Sequence, residues 1–377
     1  MQIRKLALLL STLCAAGAAL ADITIGVSVS ATGPAASLGI PEKNTFALLP
    51  NTIGGEKVKW VVLDDATDPS TGVKNARKLI SEDKADVLIA GTSTPVAMAI
   101  LEVAAETKMA QITMAPMPPA GDKAPWVFIT PQNFGLMGAA LVEHMAANGV
   151  KTLGFIGYAD SYGDIWLKAI QGVTEAKGIK LVAAERYQRA DTSVTGQAIK
   201  LLAANPDAIF VAGSGTPAVL PQATLVERGY KKRIYQSHGV ANPDFLRVGG
   251  KNVEGTIFPV GPMLLAEQLP DSHPSKKPAL EYIKLYEGVH GANSRNTFGG
   301  HAYDAYLLLT RAVPEALKKA RPGTAEFRMA LRDALENVKE LPGVHGVFNM
   351  KPTDHNGFDA RAAIMVRIEN GEWKLLK

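Results

Sequence analysis

Twice along this chain, short β-branched runs alternate with longer segments whose apolar residues recur at helical spacing. No other feature restricts the fold as much. In the first pass Ile23–Val29, Val58–Leu63, Asp86–Ala90 and Gln111–Met114 read as buried strands, and the spacing predicts helices over Ser70–Lys84 and Pro95–Lys108. Pro95 stands where a first helical turn accepts proline. After a stretch rich in proline (Pro116, Pro118, Pro119, Pro125, Pro131) the pattern restarts. Strands are then expected at Thr152–Gly157, Ile179–Tyr187, Asp207–Ala212 and Lys232–Gln236, with helices at Tyr162–Lys177, Val194–Ala204 and Pro217–Arg228. Such alternation implies parallel strands joined by right-handed crossovers. The 377 residues also exceed what one core supports. The expectation is an α/β protein of two doubly wound lobes with parallel central sheets.

A third portion is mainly helical, at Pro278–Gly288, Phe298–Lys319 and Thr324–Val338, followed by extended segments at Gly343–Asn349 and Ala362–Glu369. Helices alone would form poor cores, so this block should complete the earlier lobes. The chain then crosses between lobes three times, near Thr130–Gly135, Phe258–Pro262 and Leu341–Gly346, each rich in Pro or Gly. The expected division is 22–133 with 260–342 for lobe 1, and 134–259 with 343–377 for lobe 2. Three crossings make a hinge, with a cleft between the carboxyl ends of the two sheets.

The first 21 residues read differently. Arg4 and Lys5 precede an apolar run from Leu6 to Leu20, and Ala19-Leu20-Ala21 places small side chains where a signal peptidase accepts them. About 15 apolar residues fall short of the roughly 20 that span a bilayer. A lipid anchor on Cys14 is disfavoured by Leu13, which stands where a small residue normally precedes the cysteine. Export with cleavage after Ala21 is therefore expected. What remains has a net charge of +2 and no cysteine, so it has no disulfide and no thiolate metal site. Its near balance of charge argues against nucleic acid as a partner.

Several short motifs carry competing readings. Gly213-Ser214-Gly215-Thr216-Pro217-Ala218, between a strand and a helix, fits a dinucleotide fingerprint ending in alanine, but the next strand ends in Gln236 and Ser237 without the supporting acid. Free amides at that helix start would instead suit a small anion. Asp64, Asp65 and Asp68 could suggest a metal, yet before Pro69 they read as helix-capping residues. The seven histidines show no H-E-x-x-H and no tight ligand cluster, and no G-x-S-x-G elbow is present, so no metal, no cofactor and no catalytic residue is expected. In Gly91-Thr92-Ser93-Thr94-Pro95, Ser93 or Thr94 either caps the following helix or donates to a ligand carboxylate.

Taken together, the chain resembles the periplasmic substrate-binding proteins of ABC transporters, in the leucine/isoleucine/valine-binding group with the type I fold. The landmarks are Thr32-Gly33-Pro34-Ala35 with Leu38-Gly39, Gly54-Gly55, Asp64-Asp65-Ala66-Thr67-Asp68-Pro69, Tyr162-Gly163, Ala302-Tyr303-Asp304-Ala305 and Gly343–Phe348. The resemblance covers nearly the whole chain after Ala21. It implies that Ser93 or Thr94 and then Ala115 hold a ligand carboxylate, and that Tyr162 closes over the ligand. Leu38 is expected beside it. The amino-acid binders of the family place a Thr, an aromatic and a Glu where this chain has Met117, Gly215 or Thr216, and His238. Without that Glu an α-ammonium group loses its partner, and a desolvated cation without one is costly. Met114, Met117 and the prolines suit a flat ring or alkyl body.

The expected function is therefore a non-enzymatic, monomeric carrier in the periplasm. It captures a small carboxylate-bearing solute with an apolar or aromatic body and delivers it to a membrane permease. A sensor of the same fold and a carrier of branched-chain amino acids are the alternatives.

Overall fold

Residues 22–376 are described by the structure, a computed structural model. The expected leader and its cleavage after Ala21 lie outside the described residues. The first sheet contains β1 (Ile23–Val29), β2 (Thr52–Ile53), β3 (Glu56–Asp64), β4 (Val87–Ala90), β5 (Gln111–Thr113) and β6 (Val127–Ile129). They lie in the order β2-β3-β1-β4-β5-β6. β1 runs down the middle, parallel to both neighbours, with Ile25 opposite Trp60 on β3 and Val87 on β4. It is buried at every position, as expected of a central parallel strand covered on both faces. Only β2 is antiparallel, paired with β3 through a hairpin at Gly54–Gly55.

The late helical block covers this sheet. Leu308, Leu309 and Val313 of the helix Thr297–Leu317, and Phe327 and Leu331 of the helix Ala325–Glu336, share one core with Ile23, Ile25, Val27 and Ile89. The helices after residue 275 thus complete an earlier lobe, because their apolar stripes have a sheet to bury against.

The second sheet contains β7 (Thr152–Tyr158), β8 (Lys180–Tyr187), β9 (Ala208–Ala212), β10 (Arg233–Gln236) and β11 (Ile257–Val260), all parallel. A small hairpin, β12 (Leu341–Pro342) with β13 (Val347–Phe348), comes next in sequence. Then β14 (Ile364–Glu369) and β15 (Glu372–Leu375) extend the second sheet, in the order β15-β14-β11-β10-β9-β7-β8. These two strands are antiparallel, unlike the parallel sheet expected from the alternation. Only two residues, Asn370 and Gly371, join them, and so short a link serves antiparallel strands alone.

Three passages connect the lobes. The first spans residues 130–133, between β6 and the helix Phe134–Ala147. The second runs from Gly261 to Ser275, ahead of the helix Lys276–His290. The third lies beyond Met350, later than the expected Leu341–Gly346. Phe348 and Met350 bury in the first sheet's core, so residues 343–350, expected in lobe 2, stay with lobe 1. The passages meet at one junction. Gln132 Nε2 donates to the carbonyls of His345 and Ala362 at 3.2 and 2.9 Å. A Cβ on Gly261 would stand 2.3 Å from the His345 ring and 2.5 Å from Gln132 Nε2. Asn356 Nδ2 donates back to Ile129 and Pro131.

Candidate functional site

Each lobe turns the carboxyl ends of its strands toward a common cavity, the place where open α/β sheets bind ligands. The segment after β1 brings Leu38, the one after β4 Thr92, Ser93 and Thr94, and the one after β5 Met114 and Pro116. Opposite them, β7 leads to Tyr162, β8 to Arg189, β9 to Ser214 and β10 to His238 and Gly239. Pro131 from the first passage, and Phe298 and His301 from the start of the helix Thr297–Leu317, complete the wall. The cavity, with its mouth, holds about 330 Å³ of empty space. It is small because the lobes touch. Gly215, at φ +61°, comes so near the first lobe that a Cβ would stand 2.6 Å from Ser37 Oγ, and the Thr216 amide donates to that oxygen at 3.3 Å.

Where each hydroxyl proton goes decides what the cavity can offer. Thr94 donates to the Pro116 carbonyl at 2.8 Å, and Thr92 to the Glu42 carboxyl at 2.5 Å. Burial pushes Glu42 well above the usual carboxylate range. Ser237 donates to the Gly213 carbonyl at 2.6 Å, so the Tyr162 hydroxyl, 2.8 Å from Ser237 Oγ, gives its proton to Ser237. Tyr162 therefore presents its ring, packed among Phe134, Tyr158 and Trp166. Ser93 is different. It sits at the N-cap of the helix Thr94–Glu106 without bonding to it, and its buried Oγ has no partner among the described residues. Capping does not occupy Ser93.

Two histidines line the same space. His238 is 3% exposed and His301 1%, and Nδ1 of each is buried without a partner among the described residues. Burial, reinforced by His345, pushes His238 down to about 4. Burial and the neighbouring histidines hold His301 well below the ordinary imidazole range. Both are neutral at physiological pH. Each then has one N–H and one lone pair to offer.

His301, Asp304 and His345 form a tight group in space, which the sequence did not suggest because 41 residues separate Asp304 from His345. Their contacts do not suit a metal ion. Asp304 accepts from the Val344 amide, the His345 amide and His345 Nδ1, and His345 Nε2 lies 2.9 Å from Thr297 Oγ1. His301 stacks on His345 with centroids 4.0 Å apart and a 28° tilt. Ring-nitrogen lone pairs lie in the ring plane, so stacked imidazoles do not converge on one ion. The group fixes the β12–β13 hairpin against the cavity-lining helix instead.

Of the residues expected at the site, Ser93, Thr94, Tyr162, His238 and Leu38 meet in the cavity, while Ala115, Met117 and Thr216 do not line it. The Ala115 amide donates to Thr113 Oγ1 at 3.1 Å. Met117 faces a separate groove beside Phe134 and His355. Thr216 stands at the contact between lobes. The Gly213–Ala218 loop is not an anion cradle. Its amides go to Tyr158 Oη, Gly239 O, Ser37 Oγ and Gly215 O. Asp68 caps the helix Pro69–Ser81 as expected. Asp65 accepts from Ser28, Ser30 and Thr67, and Asp64 from Thr32 and Ala66. The sequence reading missed Arg189, Phe298 and His301. The last two are three residues apart at a helix start capped by Asn296, a spacing that puts them on one face. Arg189 has no motif around it.

Two α/β lobes, a triple passage and a closed interlobe cavity define a two-lobed binding protein. Comparison with known proteins agrees. A profile described as periplasmic binding protein matches residues 22–372, and the chain belongs to that family. Its members bind rather than transform their ligands, so the protein is not an enzyme. An extracellular ligand-binding receptor from Rhodopseudomonas palustris is 48% identical, with a TM-score of 0.93 over 94% of this chain and 99% of that one. The Leu/Ile/Val-binding protein homolog 3 of Brucella melitensis is 27% identical over 352 residues, 91% of each chain. A solute-binding protein of an ABC transporter from R. palustris BisB5, in complex with 3,4-dihydroxybenzoic acid, shares the fold at 21% identity, with a TM-score of 0.79 over 93% of this chain and 95% of that one.

Proposed function

We propose that the protein is exported to the periplasm and acts there as a monomeric carrier. It closes on a small solute with a carboxylate and an apolar, aromatic body, and delivers it to an ABC transporter permease. The observation that carries this reading is the charge of the cavity wall. Among the described residues no Asp or Glu lines it, and Arg189 is its one charged side chain. An α-ammonium group enclosed there would be desolvated without an anion to pair with. An organic anion would find a guanidinium, the Ser93 hydroxyl and two neutral imidazoles. Leu38, Met114, Pro116, Tyr162 and Phe298 supply the apolar faces. The fold neighbour that holds 3,4-dihydroxybenzoic acid supports an aromatic acid. Closure of two lobes over a ligand couples occupancy to shape, which a permease can read.

The names of the leucine, isoleucine and valine binders favour the rival, a carrier of branched-chain amino acids. Isothermal titration of the mature protein against aromatic acids and against leucine, isoleucine and valine separates the two. Binding of an aromatic acid with no heat from the amino acids is expected. Tight leucine or valine binding without affinity for the acids overturns the proposal.

A further inference from the structure

The family resemblance seats the ligand carboxylate on the first lobe, at Ser93, Thr94 and Ala115. Two of the donors this would use, the Thr94 hydroxyl and the Ala115 amide, are already engaged. The Thr94 proton goes to Pro116 and the Ala115 amide to Thr113. Across the cavity the second lobe offers a cation. Arg189 follows β8, and its side chain is 13% exposed. Nε donates to Asp160 Oδ2 at 2.7 Å, Nη1 donates to Ser214 Oγ at 3.2 Å, and Cζ lies 4.0 Å from the centroid of the Tyr158 ring. A guanidinium carries five N–H groups. Two are engaged, and Nη2 has no acceptor among the described residues. Asp160 is shared between Arg189 and the start of the helix Ser161–Ala176, where its other oxygen accepts the amides of Tyr162 and Gly163. Two contacts and the Tyr158 ring thus fix the guanidinium in place, while Nη2, the nitrogen that both of its edges share, stays without an acceptor in a side chain that lines the cavity.

We propose that Arg189 takes the ligand's carboxylate, so that the acid end sits on the second lobe and the first lobe closes over the body. This rests on the reading of the ligand as an organic acid. It also supplies the selectivity that the missing Glu leaves open. A guanidinium repels an α-ammonium group, so the zwitterion of an amino acid is rejected where the simple acid is held. A planar bidentate partner for a carboxylate is the task for which Arg differs most from Lys.

A structural Asp160–Arg189 pair would also weaken binding when broken, so the test compares acids with their uncharged analogues. Titration calorimetry is run on wild type, Arg189→Gln, Arg189→Lys and Ser93→Ala. The probes are benzoate, phenylacetate and 3-phenylpropanoate, each with its carboxamide. Wild type should prefer at least one acid over its amide by tenfold or more. Arg189→Gln should lower that acid's affinity about 100-fold and leave the amide within about threefold, whereas Ser93→Ala costs the acid less than about tenfold. Arg189→Lys, which keeps the charge and loses the fork, should fall between. Equal loss of acid and amide in Arg189→Gln overturns the proposal, and so does a larger loss in Ser93→Ala. If Arg189→Gln does not fold, a wild-type acid-to-amide ratio below about two overturns it without any variant. Acids that bind wild type and Arg189→Gln alike remove this inference and leave the proposed function standing. Failure of every acid to bind wild type removes both.

Discussion

Mild acid should destabilise this protein above the range in which carboxylates titrate, and His238 gives the reason. Its ring is buried beside Trp166, with centroids 5.9 Å apart, in a cavity whose one charged side chain is the Arg189 cation. His301 and His345 stand nearby, and no carboxylate lines the space to welcome an imidazolium. Burial, then His345, therefore pushes the His238 pKa down to about 4. In the unfolded chain it returns to about 6.5. Between these values the unfolded state takes up a proton that the native state refuses. The contribution is complete above pH 6.5 and is lost progressively as pH falls toward 4. A shift of about 2.5 units corresponds to about 3 kcal/mol, of which about 2 kcal/mol is already lost at pH 5. That is a visible fraction of the 5–15 kcal/mol by which domains are typically stable, roughly speaking. Urea unfolding of ligand-free wild type and His238→Gln, at constant ionic strength and pH 7.5, 6 and 5, isolates the effect. Wild type should lose about 2 kcal/mol more than the variant between pH 7.5 and 5. Parallel pH curves would refute the assignment of a buried neutral imidazole.

Three further outcomes follow from the packing. Gly261→Ala places a Cβ against His345 and Gln132, whose side-chain bonds to His345 and Ala362 must break, so urea unfolding should show a loss of about 2–4 kcal/mol. Trp166→Ala empties a fully buried site where the rings of Phe134, Phe210 and Tyr162 meet, and thermal or chemical unfolding should register about 3–5 kcal/mol. Tyr162→Phe should keep ligand affinity within about threefold, because the hydroxyl serves Ser237, whereas Tyr162→Ala removes the ring face and should cost more than about tenfold by calorimetry.

Much of the fold was legible because its strands are short, apolar and buried on both faces. Ile23–Val29 coincides with β1, and Asp207–Ala212 and Lys232–Gln236 each overlap β9 and β10 with one residue to spare. The helix Ala36–Leu48 was not foreseen. Pro41 lies inside it, and a proline at mid-helix normally signals a break. The extended segment expected at Ala362–Glu369 contains β14, but β15 and the antiparallel pairing of both strands were hidden, since alternation with helices stops before them. At the site, Ser93, Tyr162 and His238 were placed by the family resemblance, and each lies just after a strand at the sheet edge. Arg189 was not. It stands two residues beyond the expected strand Ile179–Tyr187 with no motif around it, and its partner Asp160 lies 29 residues earlier. The grouping of His301, Asp304 and His345 likewise exists only once the β12–β13 hairpin folds back onto the helix Thr297–Leu317. What sequence conceals here is pairing between side chains far apart along the chain, not local structure.

The central claim is that the cavity holds an organic anion without an amine. Native mass spectrometry of the mature protein, isolated from the periplasm of its own cells and then denatured to release what it carries, addresses this directly. The account predicts a small carboxylic acid with an apolar, aromatic body and no primary amine. Leucine, isoleucine or valine recovered in stoichiometric amount would contradict it.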